Sequence, residues 1–176
     1  MEQGLMQIYT GDGKGKTTAA LGQAMRALGR GLKVVMIQFL KGEETGEVLF
    51  IRKHAPGFEI CRCNTQKKFP WEMNDAEIEL LKKETMEGFG RAKEIVDQNG
   101  CDLLILDEVI GALNRMYIPF GELKELLAAR PKSMELVLTG RGADSKLIEY
   151  ADLVTEMKNI KHPFEKGIPA RVGIEM

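Results

Sequence analysis

The segment Tyr9-Thr10-Gly11-Asp12-Gly13-Lys14-Gly15-Lys16-Thr17-Thr18 constrains this chain more than any other stretch. It lies between a short apolar run, Leu5 to Tyr9, and a helix-favouring stretch that begins at Ala19. Three glycines in five positions let successive backbone N–H groups point inward without Cβ clashes. A helix that follows brings its unpaired N–H groups and positive dipole end to the same spot. Such a turn is a cradle for an oligophosphate, in which Lys16 supplies a compact positive charge and the Thr17 hydroxyl a ligand for Mg²⁺. The order strand, glycine loop, Gly-Lys-Thr-Thr, helix argues for nucleotide binding over a surface turn rich in glycine and lysine. The standard pattern G-x-x-x-x-G-K-[ST] asks for glycine at position 10, where this chain has threonine; its glycines fall instead at 11, 13 and 15.

With 176 residues and 44% hydrophobic content, the chain has enough apolar material for one domain, 1–176, and is short for two. The formal charge of −1 leaves no global basic field for nucleic acid and no polybasic run for a membrane. The first residues lead straight into the first predicted strand with no signal peptide, and no apolar run approaches the roughly 20 residues a membrane helix needs. The expected location is the cytoplasm. Cys61, Cys63 and Cys101 are an odd number, expected as reduced thiols, and His54 and His162 lie at no zinc-ligand spacing.

Along the chain, strands and helices alternate. A helix ending at Gly29-Arg30-Gly31 leads to the apolar run Lys33–Leu40, the pattern of a strand buried on both faces of a parallel sheet. Lys41 follows at the edge where open α/β sheets bind ligands; it is a candidate for phosphate or else a solvated loop lysine. A short helix over 47–54 and a weak strand over 58–63 precede an irregular segment with Phe69 and Trp71, read either as packing or as ligand contacts. Asn74, with Glu77 three residues on, predicts the start of a long charged helix from Asp75 to about Gln98. Leu103–Leu106 then runs into Asp107 and Glu108, a buried strand that ends in carboxylates, as a Walker B strand does. Thr17 stands about 90 residues upstream, and the two together are the expected Mg²⁺ site. The stretch 109–116, a helix at 120–129, a strand at 135–139 ending in Thr139-Gly140-Arg141, a short helix at 144–150 and a last strand within 151–158 complete the chain. Arg141 is either a phosphate or ribose contact or an exposed turn arginine. The pattern predicts an α/β fold: a single P-loop (RecA-like) domain with a mostly parallel sheet of five or six strands and helices on both faces.

Thr10–Ala20, Gln38–Gly42, Leu106–Glu108, Leu138–Arg141, Ala151–Met157 and Lys161–Phe164 together resemble the ATP:corrinoid adenosyltransferases, over about Gln7 to Glu175. The threonine at position 10 is part of that family's pattern. The resemblance implies attack by a Co(I) corrinoid, cobalamin or cobinamide, on the 5′ carbon of ATP, with release of inorganic triphosphate. It implies that the loop from Gly11 through Asp12, Gly13, Lys14, Gly15, Lys16 and Thr17 to Thr18 holds the triphosphate. It also implies that Thr17 and Glu108, with Asp107 beside them, hold Mg²⁺, and that Arg141 and Arg26 contact nucleotide. Phe69 and Trp71 resemble the aromatic pair that closes the lower face of the corrinoid and displaces its axial base. A homodimer and a reducing partner protein such as a flavodoxin come with the resemblance. Some members carry a longer amino-terminal segment that helps cover the site; this chain starts almost at its first strand.

Two other readings fit the loop itself. A small-molecule kinase would release ADP and would need an acceptor site and usually an arginine-bearing lid. A nucleotide-dependent switch ATPase would hydrolyse ATP slowly and ignore corrinoid. Neither gives the Phe69-Pro70-Trp71 loop a role.

Overall fold

The computed structural model describes every residue except 1, 43, 66, 67, 69–71, 175 and 176, and Phe164 only in its backbone. Among the described residues the expected alternation appears as β1 (Met6–Thr10), α1 (Lys16–Leu28), β2 (Val34–Gln38), α2 (Gly46–His54), β3 (Phe58–Arg62) and α3 (Asp75–Asp97). It continues as β4 (Leu103–Asp107), α4 (Val109–Asn114), α5 (Phe120–Ala129), β5 (Glu135–Thr139), α6 (Ser145–Ile148) and β6 (Leu153–Glu156), with a short 3₁₀ turn at Pro163–Lys166. One sheet collects all six strands in the order β3-β2-β4-β5-β1-β6, and every pairing is parallel. Because all strands run the same way, their carboxyl ends share one edge, and the loops leaving that edge are where chemistry can be assembled.

The apolar runs explain why the sheet is central. Along β4, Leu103 and Ile105 face one cluster while Leu104 and Leu106 face the other, and β2 divides its residues the same way. A strand buried on both faces needs helices on both sides. One side carries α1 and α2, packed on Met36, Ile105 and Val137. The other carries α3, α4, α5 and α6, packed on Ile37, Leu106 and Leu138. Helix α1 buries Ala20, Ala24 and Ala27, and their small side chains let it lie close to the strands beneath.

Local signals set most boundaries. Asn74 caps α3 as the sequence predicts: its Oδ1 accepts from the Glu77 N–H at 2.9 Å, and Glu77 Oε2 accepts in return from the Asn74 N–H. Helix α1 begins at Lys16, three residues before the predicted start at Ala19, because Lys16, Thr17 and Thr18 themselves form its first turn. Strand β6 sits at one edge with all four residues exposed. No described helix is long and apolar enough to cross a membrane.

Candidate active site

The glycine loop crosses the carboxyl edge between β1 and α1. Met157, just past β6, forms the wall beneath it: its N–H donates to the Thr10 carbonyl at 2.8 Å, and its carbonyl accepts from the Gly13 N–H at 2.7 Å. That contact is why glycine is required. A Cβ on Gly11, whose φ is +100°, would meet the Met157 oxygen at 2.4 Å, and one on Gly13 would meet the Met157 and Lys158 oxygens at 2.7 Å. Gly15, at φ +121°, precedes α1 and gives it no side-chain cap, so the first-turn N–H groups of the helix are left to an anion. Lys16 is 7% exposed. Its Nζ spans the loop, donating to the Gly11 carbonyl at 2.7 Å and the Gly13 carbonyl at 2.8 Å, and so holds the curve open.

Beneath the loop, the fully buried Asp107 at the end of β4 collects four donors. Thr17 and Thr139 hydroxyls donate to Oδ1 at 2.9 and 2.7 Å, while Gln38 Nε2 and Lys41 Nζ donate to Oδ2 at 3.2 and 2.6 Å. Lys41 Nζ also lies 3.1 Å from Thr17 Oγ1. These side chains come from four elements, and parallel pairing is what brings them together. Gln38 is the registered partner of Asp107 across β2 and β4, and Leu106 pairs with Leu138, which puts Thr139 next in line. Gln38 and Thr139 were not among the residues singled out in the sequence. The usable signal was present: each is a polar residue closing a run of apolar buried strand positions, as Asp107 is.

Two residues without the freedom of glycine adopt left-handed backbone here, Leu40 at φ 56° and Glu108 at φ 61°. Such conformations persist where the surroundings over-determine them, which is common at functional sites. Leu40 is held by its N–H, which donates to Asn64 Oδ1 at 2.6 Å, and Asn64 is anchored on α3 through the Leu81 carbonyl and Thr85 hydroxyl. Glu108 is held by its N–H, which donates to Thr139 Oγ1 at 2.9 Å. Gly140, at φ +145°, could not carry a Cβ because Ile110 would lie 2.7 Å away.

Electrostatically the cluster is strained in both senses. Burial lowers the Lys16 pKa below the ordinary lysine value, with the Glu108 carboxylate opposing that shift and the Arg141 charge adding to it. Burial likewise raises the Glu108 pKa, and neighbouring Asp107 raises it further against the pull of Lys41, Lys16 and Arg141. An acid whose pKa is higher folded than unfolded costs stability when charged. That cost is absent below the unfolded value of about 4.3 and complete once pH exceeds the folded one. Glu108→Gln is therefore expected to raise the melting temperature at pH 7.5, with the gain shrinking toward zero near pH 4. Melting curves of both proteins at the two pH values check this, and a gap independent of pH contradicts it.

Of the predicted site residues, Gly11 to Gly15 form the loop and Lys16 to Thr18 the first turn of α1, and Thr17, Lys41, Asp107 and Glu108 meet below it. Arg141 follows β5 at the same edge, close enough to act on both Lys16 and Glu108. Arg26 is not brought there. It lies ten residues after Lys16 on α1, about 15 Å along the axis at 1.5 Å per residue. It lines a cleft of about 270 Å³ with Arg30 and Glu135, beside the starts of β4 and β5. Phe69 and Trp71 lie outside the described residues. The three cysteines are free thiols, with burial pushing Cys61 up to about 11 and Cys63 and Cys101 to about 12; at neutral pH they stay protonated and are poor nucleophiles.

Among the described residues no group of three or more His, Cys, Asp or Glu side chains could hold a metal alone. The oxygens at Asp107 nevertheless suit a hard cation that takes its other ligands from phosphate and water. Thr17 Oγ1 and the Asp107 carboxylate lie together, and Gln38 Oε1, buried beside them, meets no donor among the described residues. An orphaned acceptor of that kind suits a metal-bound water.

A family model described as ATP:corrinoid adenosyltransferase BtuR/CobO/CobP matches residues 2–176. The corrinoid adenosyltransferase of Escherichia coli K12 is 34% identical over 175 residues, covering 99% of this chain and 86% of that protein. That of Pseudomonas aeruginosa is 37% identical over 175 residues, covering 99% and 84%. The corrinoid adenosyltransferase of a Sinorhizobium species is 40% identical over 177 residues, covering 99% and 81%. A glycine loop over a buried carboxylate, in a chain similar to these enzymes over nearly its whole length, leads to one conclusion: the chain belongs to the ATP:corrinoid adenosyltransferase family and is an adenosyltransferase.

Proposed function

We propose that this chain transfers the 5′-deoxyadenosyl group of ATP to a reduced Co(I) corrinoid and releases inorganic triphosphate. The observation that carries the reading is the convergence of Lys16, Thr17, Lys41, Asp107, Glu108 and Arg141 beneath and beside one glycine loop. A cobalt electron pair forms the cobalt–carbon bond as the C5′–oxygen bond breaks, and the bonding pair leaves with triphosphate. The nucleophile is the corrinoid, so no protein base is needed. What the protein must supply is a counter-charge for the oxygen leaving C5′. Lys16, the α1 first-turn N–H groups and the Arg141 charge are the groups suited to that, since fixed donors and dipoles aimed at developing charge need no reorganisation during reaction.

Thr17, Asp107 and Glu108 would hold Mg²⁺, which when bound adds Lewis-acid stabilisation of the triphosphate charge. Asp12 and Lys14 lie between the loop's glycines, and Thr18 belongs to the α1 first turn that would face the same phosphates. Phe69 and Trp71 would wall the lower corrinoid face, excluding a nitrogen or water ligand and so easing reduction of Co(II). By family resemblance a homodimer and a flavodoxin-like reductant belong to the same reading.

Anaerobic incubation with ATP, Mg²⁺ and chemically reduced corrinoid tests it. The expected products are adenosylated corrinoid and triphosphate in equal amounts; ADP with orthophosphate would return the chain to the kinase or switch readings. Trp71→Ala is expected to leave ATP affinity unchanged while slowing reduction of protein-bound Co(II) corrinoid about tenfold or more, a change of roughly 1.4 kcal/mol in barrier. Reduction at the unaltered rate removes Trp71 from the corrinoid face.

A further inference from the structure

The Lys41 ammonium occupies a telling position. It touches both Thr17 Oγ1, at 3.1 Å, and Asp107 Oδ2, at 2.6 Å, and these are two of the three side chains the proposed function assigns to Mg²⁺. The contact is not a chance reach of a flexible surface lysine. The backbone beside it is clamped on three sides: the Phe39 N–H donates to the Asp107 carbonyl at 2.9 Å, the Leu40 N–H to Asn64 at 2.6 Å, and Arg62 donates to the Lys41 carbonyl at 3.1 Å. Leu40 takes a left-handed conformation to make this turn. Strain accepted next to a fixed charge aims that charge.

We propose that Lys41 is a resident counter-cation standing in the metal's position, so that the protein takes Mg²⁺ only together with ATP. The inference rests on the reading of Thr17 and Asp107 as metal-holding. A divalent ion and an ammonium cannot share contacts to the same two oxygens, because like charges a few ångströms apart repel strongly in a water-poor site. Alone, Mg²⁺ must evict the ammonium into nothing better. With ATP, the displaced ammonium gains a triphosphate within reach of its four-carbon stem, and the eviction is offset. Metal and nucleotide then bind cooperatively, and by linkage each strengthens the other by the same factor. The buried Gln38 Oε1, which the ammonium leaves without a donor, would be satisfied by a water on the metal.

The test uses the full chain and Mn²⁺ as the probe, followed by water-proton relaxation enhancement with and without ATP. Without nucleotide, the wild-type chain is expected to bind Mn²⁺ at least tenfold more weakly than Lys41→Met, which removes the ammonium and keeps its bulk. Asn64→Ala provides a second variant, because it frees the Leu40 turn while keeping every group at the carboxylate, and it too is expected to bind Mn²⁺ more tightly than wild type. In melting curves without nucleotide, Mg²⁺ is expected to raise the melting temperature of Lys41→Met and not that of wild type. Equal Mn²⁺ affinity in all three proteins without ATP, alongside normal enhancement in its presence, overturns the role of Lys41 and leaves the metal reading standing. No enhancement in the wild type even with ATP overturns the metal reading itself.

Discussion

Lys16→Ala is expected to lower kcat/KM for ATP-dependent adenosylation by about 10³-fold, the upper range for loss of a single fixed donor from a site of developing charge. Two losses combine in it. The substitution removes the positive charge nearest the predicted phosphates. It also removes the strut between the Gly11 and Gly13 carbonyls, at 2.7 and 2.8 Å, that holds the loop curved. Lys16→Arg is expected to restore little, since a planar fork cannot replace a compact ammonium fitted between two carbonyls in a site only 7% exposed. Steady-state kinetics with triphosphate release as readout decides the matter, and a tenfold or smaller loss would mean that the loop does not hold the leaving group.

Asp107→Ala is expected to cost about 3 kcal/mol of folding stability, because it strands several buried donors at once. For a domain of this size that corresponds to a fall of roughly 6–12 °C in melting temperature. The stranded groups are the Thr139 hydroxyl and the Gln38 amide, both buried, with Thr17 and Lys41 partly able to turn to water. Asp107→Asn is expected to cost clearly less. Its oxygen still accepts from Thr17 and Thr139. Its new amide would face Gln38, whose own amide can rotate to present the otherwise unpartnered Oε1, and only Lys41 is left opposed. Activity is expected to fall to background in both variants, since each loses the carboxylate charge. If the two variants melt at the same temperature, Asp107 is not the hub these distances describe.

Much of this arrangement is legible in the sequence. The run of four apolar residues ending at Asp107 marked a doubly buried strand with a carboxylate at its carboxyl end, and the capping pair Asn74 and Glu77 marked the start of α3 to the residue. These signals are local, written within a few positions by the periods of helix and strand. The start of α1 was misjudged by three residues for an equally local reason: glycine and threonine lower helix propensity, yet the turn after Gly15 is held by the Ala19 N–H on the Gly15 carbonyl and by Thr17 on Asp107. The corrinoid came from resemblance alone, since no spacing of residues specifies it.

What the chain determined by itself, then, was the inventory: alternating strands and helices, a glycine-rich loop between the first strand and helix, and a carboxylate at a strand end. Tertiary structure alone decided who meets whom. Strand order places β1 between β5 and β6, so Met157 becomes the wall of a loop some 145 residues earlier in the chain. Parallel register sets Gln38, Asp107 and Thr139 side by side and delivers Lys41 to the carboxylate. The physical reason is that pairing between distant strands is settled by which apolar faces can all be buried together, a property of the whole assembly that no short window of sequence contains.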